Sequence, residues 1–180
     1  LVGRERELTM LTDCWRQAKE GEGQVVLLSG EPGIGKSRIL HTLRSRLDEN
    51  TYLSLRYSCS PYHQTTPLYP FIEQLEQAAD IARNDASEQK LDKVRSLLAQ
   101  GATDIEEEIP FIAALLSIPA DERYLPLRMS PQHQKEKTFQ TLIAQLDGLA
   151  AHQPVLILFE DAHWIDPTSL DLLDLTVDRV

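Results

Sequence analysis

An α/β fold, with a parallel sheet flanked by helices and a helical insertion between its second strand and a later central strand, is predicted by three observations. The first is a glycine-rich stretch, Gly30-Glu31-Pro32-Gly33-Ile34-Gly35-Lys36-Ser37. It lies between the apolar run Val25-Val26-Leu27-Leu28 and an amphipathic segment carrying Ile39, Leu40, Leu43 and Leu47, which reads as strand, loop, helix. The second is Val155-Leu156-Ile157-Leu158-Phe159 after Pro154. Such a run is too short for a helix and too continuous for a half-exposed strand, so it suits a central parallel strand buried on both faces. The third is the acidic pair Glu160-Asp161 that follows, at the carboxyl edge of the sheet, where open α/β folds bind ligands.

In chain order, Leu1-Val2-Gly3-Arg4-Glu5 precedes a helix whose Leu8, Leu11, Trp15 and Ala18 share one face. A leading segment of this kind can pack over a nucleotide base or serve as a plain core-facing helix, and the spacing fits both. Gly21-Glu22-Gly23 turns the chain into a first strand over 24–29. Residues 51–58 alternate Leu53, Leu55 and Tyr57 with Ser54 and Arg56, the two-residue period of a half-buried strand. Pro61, Pro67 and Pro70 interrupt the chain, and three helical patterns follow: Leu68, Phe71, Ile72 and Leu75; Leu91, Val94 and Leu98; Ile105, Ile109, Ile112 and Leu116. Glu106-Glu107-Glu108 sits where negative charge complements a helix dipole and reads as a solvated helix end.

Residues 119–131 read as a loop around Asp121-Glu122-Arg123-Tyr124, followed by a long helix with Phe139, Leu142, Ile143, Leu146 and Leu149 inward. Asp166-Pro167 supplies an N-cap and a first-turn proline, with Leu170, Leu173, Val177 and Val180 continuing at helical spacing. The expected organisation is therefore 1–58 (helix, glycine loop and second strand), 59–130 (mostly helical insertion) and 131–180 (long helix, apolar strand and closing helix).

The glycine stretch fits G-x-x-x-x-G-K-[ST], and its context gives that pattern a mechanism. A triphosphate needs several backbone N–H donors, a helix N-terminus and a cation beyond them. Gly30, Gly33 and Gly35 can take backbone angles that a β-carbon penalises, while Glu31, Pro32, Ile34 and Arg38 complete the loop and helix start. Lys36 reaches the β- and γ-phosphates, and the Ser37 hydroxyl is placed for Mg²⁺. Of Glu160 and Asp161, one carboxylate holds Mg²⁺ through its water shell and the other orients or deprotonates the attacking water. Lys36, Glu160 and Asp161 are thus the catalytic candidates, Ser37, Glu160 and Asp161 the metal candidates, on a P-loop NTPase sheet. No N-K-x-D sequence is present to read guanine, so ATP or ADP with Mg²⁺ is favoured over GTP.

Composition narrows the partners. Of 180 residues, 42% are apolar and 26% charged, ordinary for a globular protein. A net charge of −10 opposes attraction to nucleic acid. No apolar run approaches the roughly 18 residues of a membrane span. Cys14 and Cys59 form no C-x-x-C pair and the five histidines show no zinc spacing, which suits a cytoplasmic location.

The loop Gly30 to Arg38, the opening Val2-Gly3-Arg4-Glu5 and the block Phe159-Glu160-Asp161-Ala162-His163-Trp164-Ile165-Asp166-Pro167 resemble the AAA-related STAND ATPase modules of bacterial signalling proteins. The segments Cys59-Ser60-Pro61-Tyr62-His63, Gln89-Lys90-Leu91-Asp92-Lys93 and Ser130-Pro131-Gln132 with Lys135-Glu136-Lys137 are similar to the ATPase module between a class III adenylate/guanylate cyclase domain and TPR-like repeats. This resemblance implies that Val2, Gly3 and Arg4 lie near the adenine, that residues 30–38 cradle the phosphates, and that Glu160 and Asp161 form the Walker B end. It implies a regulatory switch joined to output or sensor domains and TPR-like repeats, able to form a nucleotide-dependent oligomer; a nucleotide-sensing scaffold without useful turnover is the alternative. Glu160 stands where an Asp is usual and Asp161 where a catalytic Glu is usual, so the division of labour differs from the broader pattern and hydrolysis is expected to be slow. In the fold so implied, a sensor strand after Walker B separates the P-loop strand from the Walker B strand. The domain is therefore expected to be C-terminally incomplete, with strands 24–29 and 154–159 lacking that neighbour, marginal stability and weak ATP binding.

Overall fold

The computed structural model describes residues 3–101, 104–119 and 127–180. Within them, seven α-helices surround a small parallel sheet. Helix α1 (Glu5–Lys19) and helix α2 (Lys36–Arg46) precede a single 3₁₀ turn, Glu49–Thr51, and strand β1 (Leu53–Ser58). Helices α3 (Tyr69–Ala78), α4 (Ser87–Leu98), α5 (Ile105–Leu115) and α6 (Pro131–His152) lead to strand β2 (Val155–Glu160). A second 3₁₀ turn, Ala162–Trp164, and helix α7 (Pro167–Val177) close the chain. The loop expected around Asp121 to Tyr124 lies outside the described residues.

The strands pair in parallel with Leu53 opposite Val155 and Ser58 opposite Glu160. The ladder extends at both ends, where the N–H groups of Leu53 and Cys59 donate to the carbonyls of Pro154 (2.9 Å) and Glu160 (3.0 Å). Odd-numbered side chains of both strands enter the main core with α3 to α6 and Leu172 of α7. Tyr57 stacks on Phe159 at 4.8 Å between ring centroids and meets Phe71 of α3 at 4.7 Å, so an aromatic triad fastens α3 to the sheet. At the junction of α4 and α6, Gly101 faces Gly148 so closely that a β-carbon on either would overlap neighbouring backbone. Only glycine at both positions permits that approach.

A second, smaller core joins Leu8 and Leu11 of α1 to Ile39 and Leu43 of α2, with Leu28 packed against it. It carries the glycine loop. Trp15 bridges toward the sheet side by an edge contact with Tyr52, 5.2 Å between centroids.

Four expectations are corrected. Residues 24–29 form no strand: Val25 is 59% and Leu27 85% exposed, and only Leu28 reaches a core. A strand exists through its ladder, and among the described residues no neighbouring edge offers 24–29 its hydrogen bonds. For the same reason β2 is not a central strand buried on both faces. Among the described residues it pairs with β1 alone, and of its own residues only Leu158 is buried. In α7, the inward positions are Ser169 and Leu172, while Leu170, Val177 and Val180 are exposed. The buried serine breaks the apolar pattern, because its polar atoms are satisfied by the N-cap Asp166. Finally, Glu106 and Glu107 are exposed as expected of a helix end, but Glu108 is half-buried, and desolvation followed by the nearby Asp104 raises its carboxyl above the usual range.

Candidate functional site

The glycine loop opens α2 through three left-handed backbone positions, with φ of 155° at Gly30, 79° at Gly33 and 98° at Gly35. A β-carbon added at Gly33 or Gly35 would meet no atom within 4 Å, so it is the backbone conformation, not crowding, that demands glycine there. Gly35 is the N-cap of α2, and the first turn of α2 contains no acidic residue to cancel its positive end. The Ile34 N–H donates to the Glu31 carbonyl (3.3 Å), forming the turn at the loop's centre.

Lys36 bends back over this loop. Its Nζ donates to the carbonyls of Gly30 (2.7 Å) and Glu31 (3.1 Å). The ammonium therefore spans the mouth of the loop from the first helical residue. Ser37 and Arg38 are exposed on the same turn, as are Glu31, Pro32 and Ile34 in the loop itself.

The N-terminal residues approach the loop from the other side. Arg4 donates through Nη2 to the Ile34 carbonyl (3.4 Å), and its Nη1 pairs with Glu7 at 2.7 Å. That guanidinium lowers the Glu7 carboxyl below its ordinary value. Gly3 also takes a left-handed conformation, φ 85°. The structure thus brings Arg4 and the loop together; Val2 lies outside the described residues.

Glu160 is the last residue of β2, one position earlier than a residue following the strand, and Asp161 alone leaves the sheet. The Arg56 Nη2 of β1 donates to Glu160 Oε2 at 2.7 Å. Arg56 lies opposite Leu158 in the register, so the pair reaches diagonally across the sheet toward its carboxyl end. Asp161 is exposed and left-handed, φ 53° and ψ 38°, and caps the 3₁₀ turn by accepting the Trp164 N–H (2.9 Å). Among the described residues, no hydrogen bond or ion pair links residues 30–38 directly to Glu160 or Asp161.

Two features beside this edge escaped the pattern of the sequence. Arg56 reads as an ordinary polar position of an alternating strand; its signal is only that a long cation stands near the strand's carboxyl end. Loop 59–68, between β1 and α3, is tied to the segment 160–166, since the Cys59 N–H donates to the Glu160 carbonyl and the Leu68 N–H donates to Asp166 Oδ1 (3.3 Å). Burial, with lesser contributions from Asp166 and Asp161, pushes the Cys59 thiol up to about 11. Along the loop, His63 stacks on Tyr69 with centroids 3.5 Å apart.

No group of three or more His, Cys, Asp or Glu among the described residues could enclose a metal. Mg²⁺ does not require one, because it keeps several waters and binds through one or two protein oxygens together with phosphate oxygens. The Ser37 hydroxyl and the carboxylates of Asp161 and Glu160 are hard oxygen donors of that kind. No helix among the described residues is long and apolar enough to cross a membrane.

Residues 1–180 match the family model described as AAA ATPase domain. The chain is also 30% identical over 173 residues to the uncharacterized protein R02095 of Rhizobium meliloti (strain 1021), a match covering 96% of this chain and 16% of that protein's length. No solved structure matches it.

Proposed function

Since this chain belongs to the AAA ATPase domain family, we propose that it binds ATP on residues 30–38 and hydrolyses it with Mg²⁺, acting as a regulatory switch within a longer signalling protein. The observation that carries this reading is the glycine loop: three left-handed glycines, the N-terminus of α2 with no acidic residue in its first turn, and the Lys36 ammonium lie together on one turn. Backbone donors and a helix N-terminus of this kind suit an oligophosphate.

In this reading Lys36 exchanges the carbonyls of Gly30 and Glu31 for β- and γ-phosphate oxygens, so its present contacts hold the ammonium near its place of use. Gly3 and Arg4, with Val2, flank the adenine side. Ser37 and Glu160 would hold Mg²⁺, which when bound offsets charge on the transferring phosphoryl group. Asp161, exposed beyond the strand, orients the attacking water. The division into 1–58, 59–130 and 131–180, with α3 to α5 as an insertion on a P-loop NTPase sheet, belongs to the same proposal. So do the STAND and cyclase-associated setting, the attached output domains and TPR-like repeats, and a cytoplasmic location.

A second reading, a nucleotide sensor without useful turnover, is favoured by the Arg56–Glu160 pair, which already engages one of the two carboxylates. Lys36→Ala in the full-length protein tests the common premise. It is expected to weaken ATP binding by about 1.5–3 kcal/mol, the worth of a hydrogen bond to a charged group, and to abolish hydrolysis. Unchanged ATP affinity by calorimetry in a folded variant would sink the assignment. Single-turnover phosphate release by the unaltered protein separates switch from sensor.

A further inference from the structure

We propose that Asp166 is a positioning residue for Asp161, and that through the same carboxylate it ties the acidic end of β2 to loop 59–68 and the start of α3. The proposal rests on the reading of Asp161 as the carboxylate that orients water.

Asp166 is only 3% exposed, yet its carboxylate is fully engaged. Oδ1 accepts the N–H of Ser169 (2.9 Å) and the N–H of Leu68 (3.3 Å), and Oδ2 accepts the Ser169 hydroxyl. An N-cap needs only the first of these bonds. The bond to Leu68 crosses from α7 to a segment 98 positions away in sequence and does nothing for the helix.

Asp166 holds Leu68 directly and reaches Asp161 through the short turn between them, and both residues have left-handed backbone angles. Leu68 has φ 59° and Asp161 φ 53°, two of the four non-glycine residues in the left-handed region among the described residues. For the bulky Leu68 this region is an outlier, and such conformations persist where the surroundings over-determine them; aspartate enters it more readily, so Asp161 depends less on outside support for its backbone angles. Asp161 is fixed on one side by the β ladder, which ends at Glu160. On the other it is fixed by the short turn 161–166, closed by Trp164 N–H to Asp161 O (2.9 Å) and Ile165 N–H to Ala162 O (3.1 Å) and anchored at Asp166. Leu68 is fixed by its buried side chain and by Asp166.

Loop 59–68 is thereby pinned to the two ends of this turn's approach and exit: Cys59 to the carbonyl of Glu160, the last residue of β2, and Leu68 to the Asp166 carboxylate. Any shift of Asp161 along the sheet edge must carry the loop, and α3 begins immediately after Leu68. The insertion is therefore mechanically coupled to the carboxylate that serves water.

Three substitutions in the full-length protein separate this role from capping. Asp166→Ser retains an N-cap oxygen for Ser169 but is too short, with a single oxygen, to hold Leu68 as well. Asp166→Asn retains Oδ1 for both amides and offers an N–H to the Ser169 hydroxyl. Asp166→Ala removes every bond. The expected result for Asp166→Ser is faster hydrogen exchange in peptides spanning both 59–70 and 160–168. Its kcat for ATP falls by up to about a hundredfold, as a misplaced catalytic group gives, while KM stays within about twofold. Asp166→Asn is expected to restore most of that loss and Asp166→Ala to match or exceed it.

Wild-type exchange at 160–168 in Asp166→Ser, or an unaltered kcat, would reduce Asp166 to a helix cap and overturn the proposal. So would an Asp166→Asn variant as impaired as Asp166→Ala. If the unaltered protein proves not to hydrolyse ATP, the functional reading falls on its own, and the exchange in the two peptides still decides whether Asp166 holds Asp161.

Discussion

Arg56 Nη2 lies 2.7 Å from Glu160 Oε2, a cation of one strand paired with the terminal carboxylate of its neighbour. The arginine side chain is 57% exposed and the glutamate 24%, so the pair stands at the solvent edge of the sheet. A pair of this exposure is worth at most about 1 kcal/mol, because water and salt screen it. Arg56→Ala is accordingly expected to leave folding stability within about 1 kcal/mol of the parent. By freeing Glu160 it is expected to raise single-turnover ATP hydrolysis by no more than about fivefold, the rate equivalent of that energy. A fall in turnover would show that Arg56 orients Glu160 and does not withhold it.

Glu160 and Asp161 differ in placement, and the difference predicts different phenotypes. Glu160 ends the ladder and is half-buried, whereas Asp161 projects beyond it, exposed. Glu160→Gln is expected to weaken Mg²⁺-dependent nucleotide binding, and Asp161→Asn to preserve binding while slowing hydrolysis by about 10²-fold or more. Titrating Mg²⁺ against each variant checks both; the opposite pattern would exchange the two roles.

Exposure at residues 24–27 contrasts with burial in the small core beside them. In the 180-residue chain Leu27, 85% exposed, is expected to tolerate Ala within about 0.5 kcal/mol. Leu8, 0% exposed between α1 and α2, is expected to lose about 2–5 kcal/mol on the same change. Denaturant unfolding measures both. Comparable losses would mean that 24–27 is packed in solution.

Cys59 carries a pH dependence of definite sign. Its thiol rises from an ordinary 9.0 to about 11 on folding, through burial first and then Asp166 and Asp161. The folded state therefore keeps its proton where the unfolded state has lost one. Stability from this group is complete below pH 9 and declines as pH climbs toward about 11. Unfolding curves of the parent and of Cys59→Ala should run parallel below pH 9 and converge toward pH 11, and curves that stay parallel would contradict a buried neutral thiol. Below pH 9, alkylation at Cys59 is expected to lag well behind alkylation at the less buried Cys14, since the thiolate is the nucleophile.

Local rules were enough to read much of this protein from its sequence. The helical period placed Leu8, Leu11 and Trp15 of α1, Leu91, Val94 and Leu98 of α4 and Phe139, Leu142 and Ile143 of α6 on buried faces, where the structure has them. Alternation located β1, an apolar run located β2, and Asp166-Pro167 marked the start of α7. The glycine spacing identified a loop whose three glycines take left-handed angles. Each of these depends on residues within a few positions of one another, and periodicity and turn chemistry record such relations directly.

Pairing across the chain was decided by tertiary structure alone. Val25 to Leu28 has strand composition but no adjoining edge among the described residues, so composition could not make it a strand. The α7 stripe was misread because a serine faces inward, satisfied by a carboxylate that also reaches back to Leu68. Arg56 meets Glu160 across 104 positions, and the Cys59 N–H meets the Glu160 carbonyl across a similar interval. Types and spacings along the chain therefore determined the loop, the acidic pair and most helix faces, because those follow from backbone geometry over one or two turns. Which carboxylate is already paired, and which turn is clamped, depends on parallel register and on buried polar bonds between distant segments, and those relations exist only once the sheet and its helices are assembled.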